Sequence, residues 1–408
     1  MLIRSSNFVR VNEGELVRHV LLPESPTFRD KVSMNTLPTH GLVSGKPRQR
    51  KLLLVTASRP GAPNGGREQL YDLNERCLAD IFAAGFHRNR LETRHPRSFN
   101  DIRGALQGET IGPDKSDIAR IAGEVRSLGI DQIFLDGSNL GGIARTLRAQ
   151  CPGARIHTFF HNVEARFFLG ALRARPSPRA LAVLVANFAA ERAAVHNSDS
   201  CICLSRRDSE LLKWLHGRGA DFIAPMALAD KLGDGPITVD AAATDRYLLF
   251  VGGAFYANSA GIRWFANKVA PRAAMRTVVI GRGMESLTSE LAGEPGLEIV
   301  GEVEDLRPWY LNAYAVIAPI FDGSGMKTKV AEALMFGKRI IGTAEAFSGY
   351  DRASECGWLC KTSEDFVAAI TAAASADLPR FDRALRQIYE QEYSTGAARG
   401  RLSRITAG

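Results

Sequence analysis

Short apolar runs alternate with longer segments whose apolar residues recur every three to four positions. Leu52–Thr56 (LLLVT) is apolar nearly throughout, which predicts a strand buried on both faces. An amphipathic stretch, Arg67–Ala84, predicts a helix. Strand patterns return at Ile130–Asp136, Arg155–Phe160, Ser200–Leu204 and Asp221–Ala224, with helix patterns at Leu140–Ala149 and Arg206–His216. Ala165–Val195 is rich in arginine and apolar residues, and Pro176 and Pro178 divide it into two predicted helices. The second of these is expected to pack on the sheet through Leu181–Phe188. A second series has strands at Tyr247–Val251, Thr277–Ile280, Leu297–Val300, Ala313–Ile320, Ile340–Thr343 and Trp358–Cys360, with helices between them. Such alternation implies parallel sheets with right-handed crossovers. Two series imply two Rossmann-like, doubly wound α/β lobes facing a cleft.

The punctuation divides the chain. Residues 1–50 hold no sustained period and are broken by Pro23, Pro26, Pro38 and Pro47, so a partly disordered extension is expected. Residues 51–225 form the predicted first lobe and 247–378 the second. The Gly-, Ala- and Asp-rich segment 226–246 reads as the linker. Residues 379–408, with an amphipathic helix near Phe381–Glu392, are expected to cross back to the first lobe.

Composition adds class and location. Apolar residues make up 45% and charged residues 24%, ordinary for a globular protein. None of the six cysteines stands in a CxxC pair or a zinc pattern, so buried thiols are expected. The longest apolar run, Ala180–Ala190, is shorter than the ~20 residues that span a bilayer. With no signal-peptide core at the N-terminus, a cytoplasmic protein is expected. The net charge of +8 is uneven: residues 1–220 hold 32 Lys/Arg against 21 Asp/Glu, and the remainder 20 against 23. A basic first lobe suits an anionic partner such as the inner face of a membrane, and suits equally a dispersed surface excess with no partner. No nucleic-acid motif accompanies the charge.

The candidate chemistry centres on Phe321–Thr343 (FDGSGMKTKVAEALMFGKRIIGT). A predicted strand feeds a Gly-Ser-Gly turn, and a helix follows it. Such a turn aims backbone N–H groups at an anion, and the helix dipole reinforces them. Lys329 and Glu332 are three apart and share a helix face, the lysine nearer the positive end. That order suits a phosphate at the helix mouth and a ribose one turn deeper. The same turn also occurs in α/β proteins as plain structure, and spacing alone leaves both readings open. In the first lobe, Ser58–Arg67 is a long loop ending in Gly65-Gly66, without the GxGxxG spacing of a dinucleotide site. His161 follows a strand, where open α/β sheets bind ligands, although a lone histidine is often structural.

Taken together these stretches resemble the GT-B glycosyltransferases of the family-4 (group 1) type, in a bacterial polysaccharide-synthesis branch. The likeness runs from Leu52 to the C-terminus. It rests on Gly323–Ala333 with Gly337-Lys338, on YLLFVGGAFYAN at Tyr247–Asn258, GEVEDLRPWY at Gly301–Tyr310, PNGG at Pro63–Gly66 and HNVE at His161–Glu164. The resemblance implies that Glu332 binds the ribose of a nucleotide-sugar and that backbone near Val303 and Leu306 holds the base. Gly323, Ser324, Gly325 and Met326, with Lys327 and Lys329, would form the diphosphate site, beside Gly252. Catalytic roles would fall to His161, Lys329 and Glu332, with His161 beside the transferred sugar; Gly65 and Gly66 would let the first lobe approach. The chain departs from the family pattern at Ser324, where many members have a second Glu, and at Gly253 and Asn258, where many have Arg and Lys. Arg282 is the candidate to supply that charge.

The expected activity is therefore a retaining, metal-independent transfer of a hexose-type sugar from a UDP- or GDP-sugar to a glycolipid or polysaccharide acceptor. No cofactor, metal or nucleic acid is expected. A GT-B nucleotide-sugar epimerase and a non-catalytic nucleotide-sugar binder are the alternatives.

Overall fold

The computed structural model describes residues 50–57, 66–91, 104, 115–233, 246–323 and 325–407. The expected N-terminal extension and Gly65, Ser324 and 234–245 lie outside them.

Each lobe is a six-stranded parallel sheet. In the first, β1 (Leu52–Thr56), β2 (Phe86–Arg90), β3 (Gln132–Asp136), β4 (Arg155–Phe160), β5 (Ser200–Cys203) and β6 (Phe222–Ile223) run in the order β2-β1-β3-β4-β5-β6. In the second, β7 (Tyr247–Val251), β8 (Arg276–Ile280), β9 (Leu297–Gly301), β10 (Ala315–Ala318), β11 (Ile340–Gly342) and β12 (Gly357–Leu359) run β12-β11-β10-β7-β8-β9. Pairing is parallel throughout, with Leu52 opposite Gln132 and Val316 opposite Ile340. The winding reverses between β1 and β3 in one sheet and between β7 and β10 in the other. At such reversals the following loops diverge and leave a crevice at the strands' carboxyl ends.

Local sequence explains the helix limits. Ser177 caps the Pro178–Asn197 helix by accepting from Ala180 N, and Pro178 stands in its first turn, where no N–H is required. Ser205 caps Arg206–His216, which ends at Gly217 with φ 82°. Strand β2 (FHRNR) was not expected: it is an edge strand, paired only to β1, so it carries no apolar run. The helix expected near Phe381–Glu392 is instead a short helix, Arg383–Ile388, with a wide π turn to Tyr393. Ser394 breaks it and its hydroxyl accepts from Ala397 N, starting a separate helix, Thr395–Ala407.

That last helix lies against the first lobe, where Thr406 O accepts from Gln132 Nε2 at 3.0 Å. Residues 226–233, read as linker, are packed: Met226, Ala227, Leu228 and Leu232 are buried, and Leu228 N donates to Tyr393 O. One apolar core therefore runs from β1 and β3 through this segment into the second lobe. The Pro178–Asn197 helix meets the lobe through Ala186, Ala190 and Ala194, whereas Leu181 and Val185, expected in the contact, are exposed. Lys338 of the Gly-Lys pair turns inward and donates to Leu311 O and Ala313 O, each at 2.8 Å, pinning β10 to the chain before it.

Candidate active site

The loops at the two reversal points enclose one cavity of about 650 Å³ between the lobes. Gly66, His161, Gly252, Arg282, Val303, Leu306, Gly325, Met326, Lys327, Lys329 and Glu332 all line it. Gly323 does not. Its N–H donates to the Asp322 carboxylate at 2.7 Å.

On the second lobe, the Thr328–Met335 helix opens at the cavity. Lys329 is buried, with its ammonium 4.8 Å from the Phe250 ring centroid and donating to Asn258 Oδ1 at 2.9 Å. Asn258 is itself held by donating to Gly253 O. The position where a family cation is usual thus orients the lysine instead. Burial, with Lys327 nearby, pushes the Lys329 ammonium down to about 7. An arriving anion would restore its charge.

Glu332 is buried and fully engaged. Tyr310 OH donates to Oε2 at 3.0 Å, and Lys231 Nζ, from the interlobe segment, to Oε1 at 2.6 Å. Each carboxylate oxygen accepts more than one hydrogen bond, so both can still take a ribose hydroxyl.

Lys327 points partly away from its expected role. Its ammonium donates to Gly325 O at 2.9 Å and to Glu345 Oε1 at 3.0 Å. Burial lowers its pKa, and Glu345 works against that. Glu345 also accepts from Arg166 at 3.2 Å and Arg207 at 2.8 Å, both from the first lobe, so one carboxylate ties the lobes together. Arg282 is half exposed and faces Glu302 at 3.4 Å.

On the first lobe, His161 follows β4 and is buried between the rings of Tyr71 and Phe159, at 4.6 and 5.2 Å. Its Nε2–H donates to Asp136 Oδ1 at 2.8 Å, and Asn74 Nδ2 donates to the same oxygen at 3.0 Å. Asp136 ends β3, so the reversal point itself brings carboxylate and imidazole together. Close approach explains two glycines. A Cβ on Gly66 would stand 2.7 Å from Thr328 Cγ2, and one on Gly325 would stand 3.2 Å from His161 O. Both are contacts across the cleft, and any side chain there would wedge it open.

Sequence reasoning missed Arg67, Asp136, Lys231, Tyr310 and Glu345, and took Asn258 only as the loss of a cation. Asp136 alone carried a signal, as a charge closing an apolar strand. Among the described residues no three His, Cys, Asp or Glu side chains gather as a metal-ligand set.

Comparison with known proteins bears on this geometry. Residues 245–376, which contain the Lys329–Glu332 helix, match the family described as Glycosyl transferases group 1. The match covers the second lobe and about a third of the chain. The two described lobes have the GT-B fold of solved glycosyltransferases. The chain is similar to Anabaena Alr3699/HepE solved with UDP, at 13% identity and TM-score 0.61 over 88% of this chain and 99% of that one. It is also similar to the lipopolysaccharide outer core galactosyltransferase WaaB (11%, TM-score 0.57, covering 88% and 100%). WaaG, a glycosyltransferase involved in lipopolysaccharide biosynthesis, is similar at 13%, TM-score 0.55, covering 85% and 94%. No curated protein sequence matches the chain.

Proposed function

We propose that this glycosyltransferase moves a hexose-type sugar, with retention, from a nucleoside diphosphate sugar to a glycolipid or polysaccharide acceptor. One observation carries the reading: Lys329 and Glu332, one turn apart on a helix opening into the cavity, share it with His161 of the other lobe, which Asp136 holds from behind. Diphosphate sits at the helix mouth and on Lys329, ribose on Glu332, and the base near Val303 and Leu306. The sugar then lies toward His161. UDP is favoured over GDP by the UDP complex of HepE, and a cell-surface glycan by the lipopolysaccharide enzymes of the same fold.

In the reaction the bond from the anomeric carbon to the diphosphate oxygen breaks and one to the acceptor oxygen forms. The acceptor's proton passes to the departing phosphate on the same face. The transition state resembles an oxocarbenium ion, with negative charge growing on the diphosphate. Lys329 and the helix mouth stabilise that growing charge. The Asp136–His161 pair fixes the imidazole against the sugar. Positive groups already stand at the diphosphate position, so no metal is assigned to the reaction.

The acceptor side is read as membrane-borne. No described helix is long and apolar enough to cross a membrane. The first lobe does expose Leu169, Leu181, Val185 and Trp214, the last 80% exposed, with exposed Arg173, Arg175, Arg179 and Lys213. Apolar tips among cations suit an anionic lipid surface.

A thermal-shift panel of UDP, GDP, ADP and their sugars, with and without EDTA, tests the reading. Ligands raise Tm by mass action. One nucleotide class, expected to be UDP, should stabilise the protein equally in EDTA. Loss of the shift in EDTA would overturn metal independence. No shift with any nucleotide would overturn the function.

A further inference from the structure

The cavity's cations other than Arg67 are already committed, with Arg282 facing Glu302 at 3.4 Å. Lys327 serves Glu345 and the Gly325 carbonyl, Lys231 serves Glu332, and Lys329 is buried against Asn258. A diphosphate brings two or more negative charges to this mouth. On the opposite wall, Arg67 lines the cavity. It is the second residue of the Gly66–Phe82 helix, and its neighbour Gly66 abuts Thr328, the first residue of the Lys329–Glu332 helix. Arg67 therefore belongs to a helix whose start meets the start of the Lys329–Glu332 helix.

Its partner is unusual. Arg67 Nη2 donates to Glu164 Oε1, and Glu164 is buried. Glu164 is held in turn: its N–H donates to Glu191 Oε1 at 2.6 Å, and Ala165 N donates to Glu191 Oε2 at 3.1 Å. A buried carboxylate thus fixes one edge of the guanidinium, while the side chain, which lines the cavity, stays 40% exposed. A guanidinium has five N–H donors in a rigid fork, so one edge can anchor while the other takes phosphate oxygens.

We propose that Arg67, anchored by Glu164, is the first lobe's phosphate-binding residue, so that the donor's distal phosphate is gripped from both walls of the cleft. The proposal rests on the nucleotide-sugar reading of the cavity. It makes phosphate recognition dependent on the closed arrangement, because Arg67 and Lys329 belong to different lobes.

Isothermal titration of UDP and UMP into wild type, Arg67→Gln and Glu164→Gln tests it. Wild type should prefer UDP. Arg67→Gln should weaken UDP about tenfold, as for loss of one charge-assisted hydrogen bond, with UMP changed less than about twofold. Glu164→Gln keeps an acceptor for the guanidinium but removes the competing negative charge, so UDP should bind more tightly. Opposite signs in the two variants separate a phosphate contact from a purely structural ion pair, whose loss would weaken binding in both. If Arg67→Gln keeps the wild-type preference for UDP, or both variants weaken UDP and UMP alike, the inference is overturned and the nucleotide site stands. Failure of wild type to bind either nucleotide overturns the functional reading and this inference with it.

Discussion

The two walls of the cleft are built in different ways. On the second lobe, Gly325, Met326, Lys327, Lys329 and Glu332 come from one short stretch, 325–332, at the mouth of a single helix. On the first lobe, Gly66, Arg67, Asp136, His161 and Glu164 are spread over about a hundred residues and meet only because β1, β3 and β4 are neighbours in the sheet. The second wall holds its ligand groups with local geometry. The first holds them through side-chain pairs, Asp136 with His161 and Glu164 with Arg67. The comparison separates the expected roles: the helix mouth grips the donor, and the scattered wall orients sugar and phosphate against it.

Breaking the helix mouth should have the largest effect. Lys329→Ala removes the buried ammonium, and donor turnover should fall about 10²–10³-fold, the usual scale for losing one preorganised donor to developing charge. A loss under tenfold would move the diphosphate elsewhere. The first wall should respond more weakly and differently. Asp136→Asn leaves the shape but no longer requires the His161 Nε2 proton, so kcat should fall about tenfold while UDP affinity, read by titration, stays near wild type. If affinity falls with kcat, the two walls do not divide the work in this way.

The lysine also sharpens the contrast through pH. Its folded pKa is about 7, below the ordinary 10.5, so between those values the unfolded chain binds more protons. Stability should therefore rise with pH across that window, and the burial penalty is complete below about pH 7. Lys338, also pushed down to about 7, adds the same trend, so the Lys329→Met variant isolates the site. A bound diphosphate favours the ammonium. Nucleotide binding at pH 7–8 should take up a proton, visible as a buffer-dependent heat, and the uptake should vanish in Lys329→Met.

The smallest effect belongs to the contact that joins the walls. Glu345 accepts from Lys327, Arg166 and Arg207 and is partly exposed. Glu345→Gln should open the cleft modestly, seen as a larger radius of gyration without nucleotide, with donor KM raised about threefold to tenfold and kcat little changed. An unchanged radius and KM would mean that packing alone, through Met226 and Leu228, sets the closure.

The same contrast explains what could be read in the chain. The second wall was legible because strand, turn and helix follow one another, so spacing alone placed Lys329 and Glu332 on one face. That the Gly323 N–H turns to Asp322 is a choice of turn geometry that spacing does not encode. The first wall was legible only at His161 and Gly66. Asp136, Glu164 and Arg67 acquire meaning from strand order, and Lys231 from the way a segment read as linker folds over Glu332. Both sheets were legible from their apolar runs, except edge strand β2, whose FHRNR has no apolar run to advertise it.

The most direct test of the two-walled site is a crystal structure of the protein with UDP. The account predicts the diphosphate at the Thr328–Met335 helix mouth, within hydrogen-bond distance of Lys329 Nζ, and the ribose hydroxyls on Glu332. A nucleotide bound outside the interlobe cavity, or one whose phosphates lie away from Lys329, would contradict it.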